Sequence, residues 1–169
     1  MELPGWTEAG LLPPGIHRAE LPDLYERFVL DAPHREHREV LYSALALHVK
    51  LVQAIIPSGL AWIDGSFCRC GPDPPEDVDI VIKPHDWDAF VALPADIKAK
   101  MYGLLTLQDV AVMEPAVYLS RLKPVGGAVD AFLCRPGLDD FWCRQWSSVL
   151  DMARNVVRDA EKGFAEVAW

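Results

Sequence analysis

The feature that most constrains this chain is the stretch from Trp62 to Lys83, WIDGSFCRCGPDPPEDVDIVIK. An apolar run, Leu60-Ala61-Trp62-Ile63, stops at Asp64-Gly65-Ser66; a proline-rich loop follows; then Asp77-Val78-Asp79 opens a second apolar run, Ile80-Val81-Ile82. This pattern predicts a strand, a tight glycine turn, a loop and another strand. Successive side chains of a strand point to opposite faces, so Asp77 and Asp79 are expected on one face and Val78 and Ile80 on the other. Two neighbouring carboxylates repel, and protonation or a cation relieves the repulsion. Hard divalent cations such as Mg²⁺ favour carboxylate oxygens and bind alongside phosphates. Gly65 permits close backbone approach, and Ser66 adds a hydroxyl and an amide suited to a phosphate.

Gly65-Ser66, ten intervening residues and Asp77-x-Asp79 inside an apolar strand resemble the signature of the nucleotidyltransferase superfamily, the fold of polymerase beta and the minimal nucleotidyltransferases. That superfamily takes a third carboxylate from a later strand, and Asp130 within Val129-Asp130-Ala131-Phe132-Leu133 matches it. The wider pattern, Leu12-Pro13-Pro14-Gly15-Ile16, Ile63-Asp64-Gly65-Ser66-Phe67 and Lys162-Gly163, is similar to a family of uncharacterised nucleotidyltransferase-like bacterial and phage proteins.

The resemblance implies that Asp77, Asp79 and Asp130 hold Mg²⁺ or Mn²⁺ against the triphosphate of an NTP, with Asp130 also accepting the proton of an attacking hydroxyl. It implies that Gly65 and Ser66 position the terminal phosphates and that Arg69, in the loop after Gly-Ser, contacts phosphate, although a surface arginine is an equal expectation. Lys83 shares the strand face of Asp79 and is expected to pair with a carboxylate or phosphate, or to cap the strand end. Asp64 adds a further carboxylate. The chain departs from many active relatives in two places: Glu76 stands where they carry serine, and Gly71-Pro72-Asp73-Pro74-Pro75 excludes a helix after Gly-Ser.

A length of 169 residues suits one domain with a real core, and 51% hydrophobic with 24% charged residues is an ordinary globular composition. No apolar run reaches membrane-spanning length, and Met1–Trp6 lacks a signal peptide's basic and apolar regions, so the cytoplasm is expected. A net charge of −9 without a Lys/Arg block disfavours a nucleic-acid substrate relative to a protein or small molecule. Cys68, Cys70, Cys134 and Cys143 lack paired C-x2-C spacing, so four reduced thiols are expected rather than zinc.

Elsewhere, residues 1–19 predict an irregular arm, and Pro22-Asp23 a short helix ending near Asp31. Residues 35–56 predict a long core-facing helix with Val40, Ala44, Leu47, Leu51 and Ile55 inward, widened by Leu41, Leu45, His48 and Val52. His48 is expected as a core histidine. Residues 87–93 and 94–105 suggest further helices, the second with Ile97, Met101, Leu104 and Leu105 inward and Lys98 and Lys100 in solvent rather than at a nucleotide phosphate. Residues 108–112 suggest a strand and 117–122 a strand or helix. A strand at 129–133, a helix at 138–153 with Phe141, Trp142, Trp146, Val149 and Leu150 inward, and a closing strand at 163–169 complete the chain. The expected fold is α/β (α+β): one nucleotidyltransferase-like domain, a mixed sheet bearing the aspartates, with helices packed on its other face.

Three functions compete. The first is a nucleotidyltransferase moving NMP from an NTP to a hydroxyl of a protein, RNA or small molecule, in the toxin–antitoxin or phage-defence setting of minimal relatives. The second is a nucleotidyltransferase-like module that binds a nucleotide or protein partner without turnover, and the third a metal-dependent phosphodiesterase.

Overall fold

The computed structural model describes residues 2–151, 153 and 155–169. In chain order, β1 (Gly15–Arg18) leads into α1 (Leu21–Tyr25), which continues through a π-helical turn, Glu26–Leu30, before α2 (Arg35–Gln53). Pro22 opens α1, and the Asp23 carboxylate accepts the Glu20 N–H at 2.7 Å, tying the helix start. β2 (Gly59–Asp64), a 3₁₀ turn (Ser66–Cys68) and β3 (Val78–Pro84) follow as the two apolar runs predict. Next come α3 (Trp87–Val91), α4 (Ala95–Tyr102), the hairpin of β4 (Leu107–Met113) and β5 (Ala116–Leu122), and β6 (Val129–Leu133). α5 (Asp139–Ser147), β7 (Ser148–Leu150), β8 (Val156–Glu161) and β9 (Gly163–Ala168) end the chain.

Five strands form one mixed sheet in the order β1-β9-β2-β3-β6. β1 and β9 are parallel, β2 is antiparallel to both β9 and β3, and β6 runs parallel to β3. β4–β5 and β7–β8 are separate two-stranded ribbons. The mixed sheet with helices bears out the α+β expectation. Part of the expected irregular arm is ordered, because β1 forms an edge strand and Leu11 bridges to Arg69.

Both faces of the sheet are covered, a correction to the expectation of helices on one face. One face packs Ala61, Ile63, Val78, Ile80, Ile82, Val129 and Ala131 against Leu24, Phe28, Leu45, Val49 and Val52 of the first helices. On the other, Trp62, Val81 and Phe164 meet Trp146 of α5, with Trp142 alongside. The aspartates of the motif share this second face, so α5 covers one end of it and leaves the aspartate end. Helix α2 also turns differently from expectation. Leu41, Ala44, Leu45, His48, Val49 and Val52 are buried, while Val40, Leu47 and Leu51 are exposed. A single stripe of limited width can face a sheet, and these three fall along its margin.

His48 lies in the core as expected, its Nε2–H donating to the Leu104 carbonyl at 2.7 Å. Burial lowers its pKa, so the ring stays neutral. All four cysteines are free. Helix α5 ends at Ser147 rather than continuing to Ala153; Phe141 and Leu150 are exposed, and residue 152 of that expectation lies outside the described residues. No helix among the described residues is long and apolar enough to cross a membrane.

Candidate functional site

The strand registers bring the aspartates into one row. Asp64 at the end of β2 is the partner of Asp79 on β3, which is the partner of Asp130 on β6. Adjacent strands lie about 4.8 Å apart, so the three carboxylates are neighbours across the sheet. Asp77 precedes β3 by one residue and joins them on the same face, two positions from Asp79. Asp64, Asp77 and Asp130 are all buried, at 5%, 8% and 3% exposure, which carboxylates tolerate only when partnered.

Three cations partner them. Lys162, just before β9, bonds both carboxylate oxygens of Asp64 and donates to the Trp146 carbonyl at 2.7 Å. Burial pushes the Asp64 pKa up, and Lys162 opposes that rise. Lys123 bonds Asp77 and lies 3.6 Å from Asp130 Oδ2. Burial alone would lower the Lys123 pKa, but Asp77 and Asp130 outweigh it and hold the ammonium charged. Arg121, at the foot of the β4–β5 hairpin, reaches Asp130 Oδ2 at 2.8 Å and Oδ1 at 3.0 Å. Thr106 donates its hydroxyl to Asp130 Oδ1 at 2.8 Å while accepting the Ala131 N–H at 2.9 Å, which fixes the orientation of Asp130.

Asp79 is the exception. Among the described residues its carboxylate has no hydrogen-bonding or ion-pairing partner. Burial, then Asp77, Asp130 and Asp64, raise its pKa to about 7, with Lys123 opposing. Asp79 therefore titrates near neutrality at the centre of the row. Gly65 makes room for it: a β-carbon at residue 65 would fall 2.0 Å from Asp79 Oδ2, and the backbone there has φ +85°. Only glycine meets both demands without strain.

The loop after Gly65 is held from below. Arg38 is fully buried and donates to the carbonyls of Pro33 (2.8 Å), Phe28 (3.0 Å), Phe67 (2.7 Å) and Arg69 (2.6 Å). The proline-rich segment is pinned by His34 and His37, which donate to the carbonyls of Pro72 and Pro75, each at 2.6 Å. Ser66 is exposed beside the row, its hydroxyl unpartnered among the described residues. The Arg69 side chain is exposed as well, its backbone carrying the Arg38 bond and the Leu11 bridge. Lys83 stands apart from the row, paired with Asp139 of α5 and 5.6 Å from the centre of the Trp62 ring. Its pairing with a carboxylate is one of the outcomes expected for it, and it lies four residues along β3 from Asp79, about 13 Å away.

The model of DUF6932, a family of unknown function, matches residues 4–168. The chain belongs to that family. No curated protein and no solved structure matches it.

Four carboxylates and three cations thus gather at the candidate site. Sequence patterning missed Arg121, Lys123 and Thr106, although Arg121 and Lys123 carried a signal: two basic residues at alternate positions just before the aspartate strand. Among the described residues, no three acidic, histidine or cysteine side chains are already gathered as a metal site. Lys123 occupies the space between Asp77 and Asp130.

Proposed function

We propose that this chain is a Mg²⁺- or Mn²⁺-dependent nucleotidyltransferase that moves an NMP from an NTP to a hydroxyl acceptor. The observation that supports it most is the row of Asp64, Asp79 and Asp130, with Asp77 on the same face and Gly65 packed against Asp79. Asp77, Asp79 and Asp130 suit the donor preference of such a metal, being hard oxygens on adjoining strands, and Asp79 lacks a cation of its own. When bound there, the metal supplies charge neutralisation for the transferring phosphoryl group and the departing pyrophosphate. Arg121 and Lys123 turn to the phosphate oxygens. Ser66 offers its hydroxyl and amide to the terminal phosphates. Asp130, held in one orientation by Thr106, takes the proton of the acceptor hydroxyl at a carboxylate oxygen.

Calorimetric titration of each NTP with Mg²⁺ or Mn²⁺, on the native chain and on Asp77→Ala/Asp79→Ala, tests the reading. Binding that needs the metal and vanishes in the double variant supports it. A folded protein that binds no NTP removes it.

Lys123 favours a second reading, a nucleotidyltransferase-like binding module without turnover. Its ammonium already bridges Asp77 towards Asp130, where the first reading places the metal. On this reading NTP binding survives EDTA and is lost in Lys123→Ala.

A further inference from the structure

A cavity of about 440 Å³ lies beside the aspartate row, between α3, α4 and the open edge of β6. Its size is within the range of small-molecule sites. Even-numbered residues of β6 face β3, since Val78 N–H donates to Ala128 O and Cys134 N–H to Ile82 O. Odd-numbered residues therefore turn their backbone N–H and C=O to the open edge. Thr106 takes both groups of Ala131, its N–H donating to Ala131 O at 2.9 Å and its hydroxyl accepting Ala131 N–H. Thr106 and Leu133 both line the cavity, so the cavity lies along this edge. The next such pair, the N–H and C=O of Leu133, has no partner among the described residues. A donor and an acceptor side by side complement the edge of an amide or a heteroaromatic ring.

The rest of the lining suits the same kind of molecule. Trp87, Tyr102 and Phe132 provide aromatic surface on which a planar ring can stack. Lys98, expected in solvent, instead lines the cavity, with its ammonium 3.1 Å from the Val91 carbonyl. Arg135 lies at the lining with its guanidinium unpaired among the described residues. No carboxylate lines this cavity, in a chain whose net charge is −9. Two cations without an acid select an anionic ligand.

We propose that this cavity binds a planar heteroaromatic anion of nucleoside monophosphate size. The ring lies among Trp87, Tyr102 and Phe132, its polar edge meets Leu133, and its anionic group faces Lys98 and Arg135. The proposal is independent of nucleotidyl transfer, because it uses none of the aspartates and needs no metal.

The test is calorimetric titration of AMP, GMP, CMP and UMP in EDTA. At least one is expected to bind with submillimolar affinity. Arg135→Glu, at an exposed position, and Lys98→Glu/Arg135→Glu are expected to weaken it by about tenfold or more, with melting temperatures unchanged. Asp77→Asn/Asp79→Asn and Lys123→Ala should leave affinity within about twofold. The proposal is overturned if no monophosphate binds, if inorganic phosphate binds as tightly, or if the charge-reversed variants bind normally. Binding lost in the aspartate or Lys123 variants would assign the nucleotide to the aspartate row and overturn it as well. A response to an acidic aromatic peptide alone would reassign the edge to strand addition.

Discussion

The α-carbon of Gly65, one residue past the end of β2, lies directly against the carboxylate of Asp79 on the neighbouring strand β3. The contact has no room for a methyl group, and the positive φ at residue 65 adds a second constraint. Gly65→Ala is expected to lose about 2 kcal/mol or more in urea unfolding. Adding Asp79→Ala should restore the steric part of that loss and leave the backbone part. If the single and double variants unfold at the same urea concentration, the contact is not what demands glycine.

Asp79 also sets a pH dependence. Its pKa of about 7 is above the ordinary aspartate value of 3.8, so the folded protein binds the proton more tightly than the unfolded chain does. Stability tied to this group is complete below about pH 4 and declines as pH rises towards 7. Asp79→Asn removes the penalty of the buried charge. It should leave stability at pH 4 nearly unchanged and raise it at pH 8, by at most about 4 kcal/mol for three pK units. Thermal melts of both proteins across that range check the sign. A variant less stable at pH 8 than native would show that Asp79 has a cationic partner after all.

Lys162 and Asp64 form a pair inside the fold, and removing one partner leaves a buried charge. Lys162→Met is expected to destabilise by about 3–5 kcal/mol at pH 8. The deficit should shrink in acid as Asp64 takes a proton, because losing Lys162 removes the influence that opposes the rise of its pKa. Lys162→Met/Asp64→Leu should recover most of the loss at pH 8, and chemical denaturation of the three variants measures it.

Arg38 gathers four carbonyls, those of Phe67 and Arg69 in the Gly65–Cys70 segment and those of Phe28 and Pro33 before α2. Arg38→Met fills much of the volume but leaves those carbonyls without donors. Hydrogen bonds from a charged group contribute about 1.5–3 kcal/mol each before compensation, so a loss of at least about 3 kcal/mol is expected. Hydrogen exchange should quicken first at Cys68 and Cys70, whose amides donate to the carbonyls of Gly65 and Gly10.

The strands of the site were legible because alternation and turn residues are local signals. Asp77, Asp79 and Asp130 could be placed on strands for that reason, and the parallel pairing of β3 with β6 then brought Asp130 to the row. The partners of the cations were not legible. Lys162 stands out only as part of a family pattern and Lys123 only as a basic residue in a turn until the sheet closes around them, and Arg38 looks like part of a charged helix start until four carbonyls converge on it. For Lys83, strand parity gives the face of the side chain, while the carboxylate it pairs with, Asp139, comes from α5. The stripe of α2 was blurred because apolar residues also occupy its margins, and only the sheet beneath decides which are covered.

The last strand of the chain does not sit at the margin of the sheet. β9 is inserted between β1 and β2, and Lys162 precedes it by one residue. A growing chain therefore cannot assemble this sheet from its first half outward. β1 has no neighbour, and Asp64 no counterion, until residues 162–168 arrive, Gly163 148 positions on from Gly15 and Lys162 98 on from Asp64, a closure whose entropy makes it slow. The docking of the edge strand β1 and the charge balance of Asp64 are therefore completed by one and the same segment, residues 162–168.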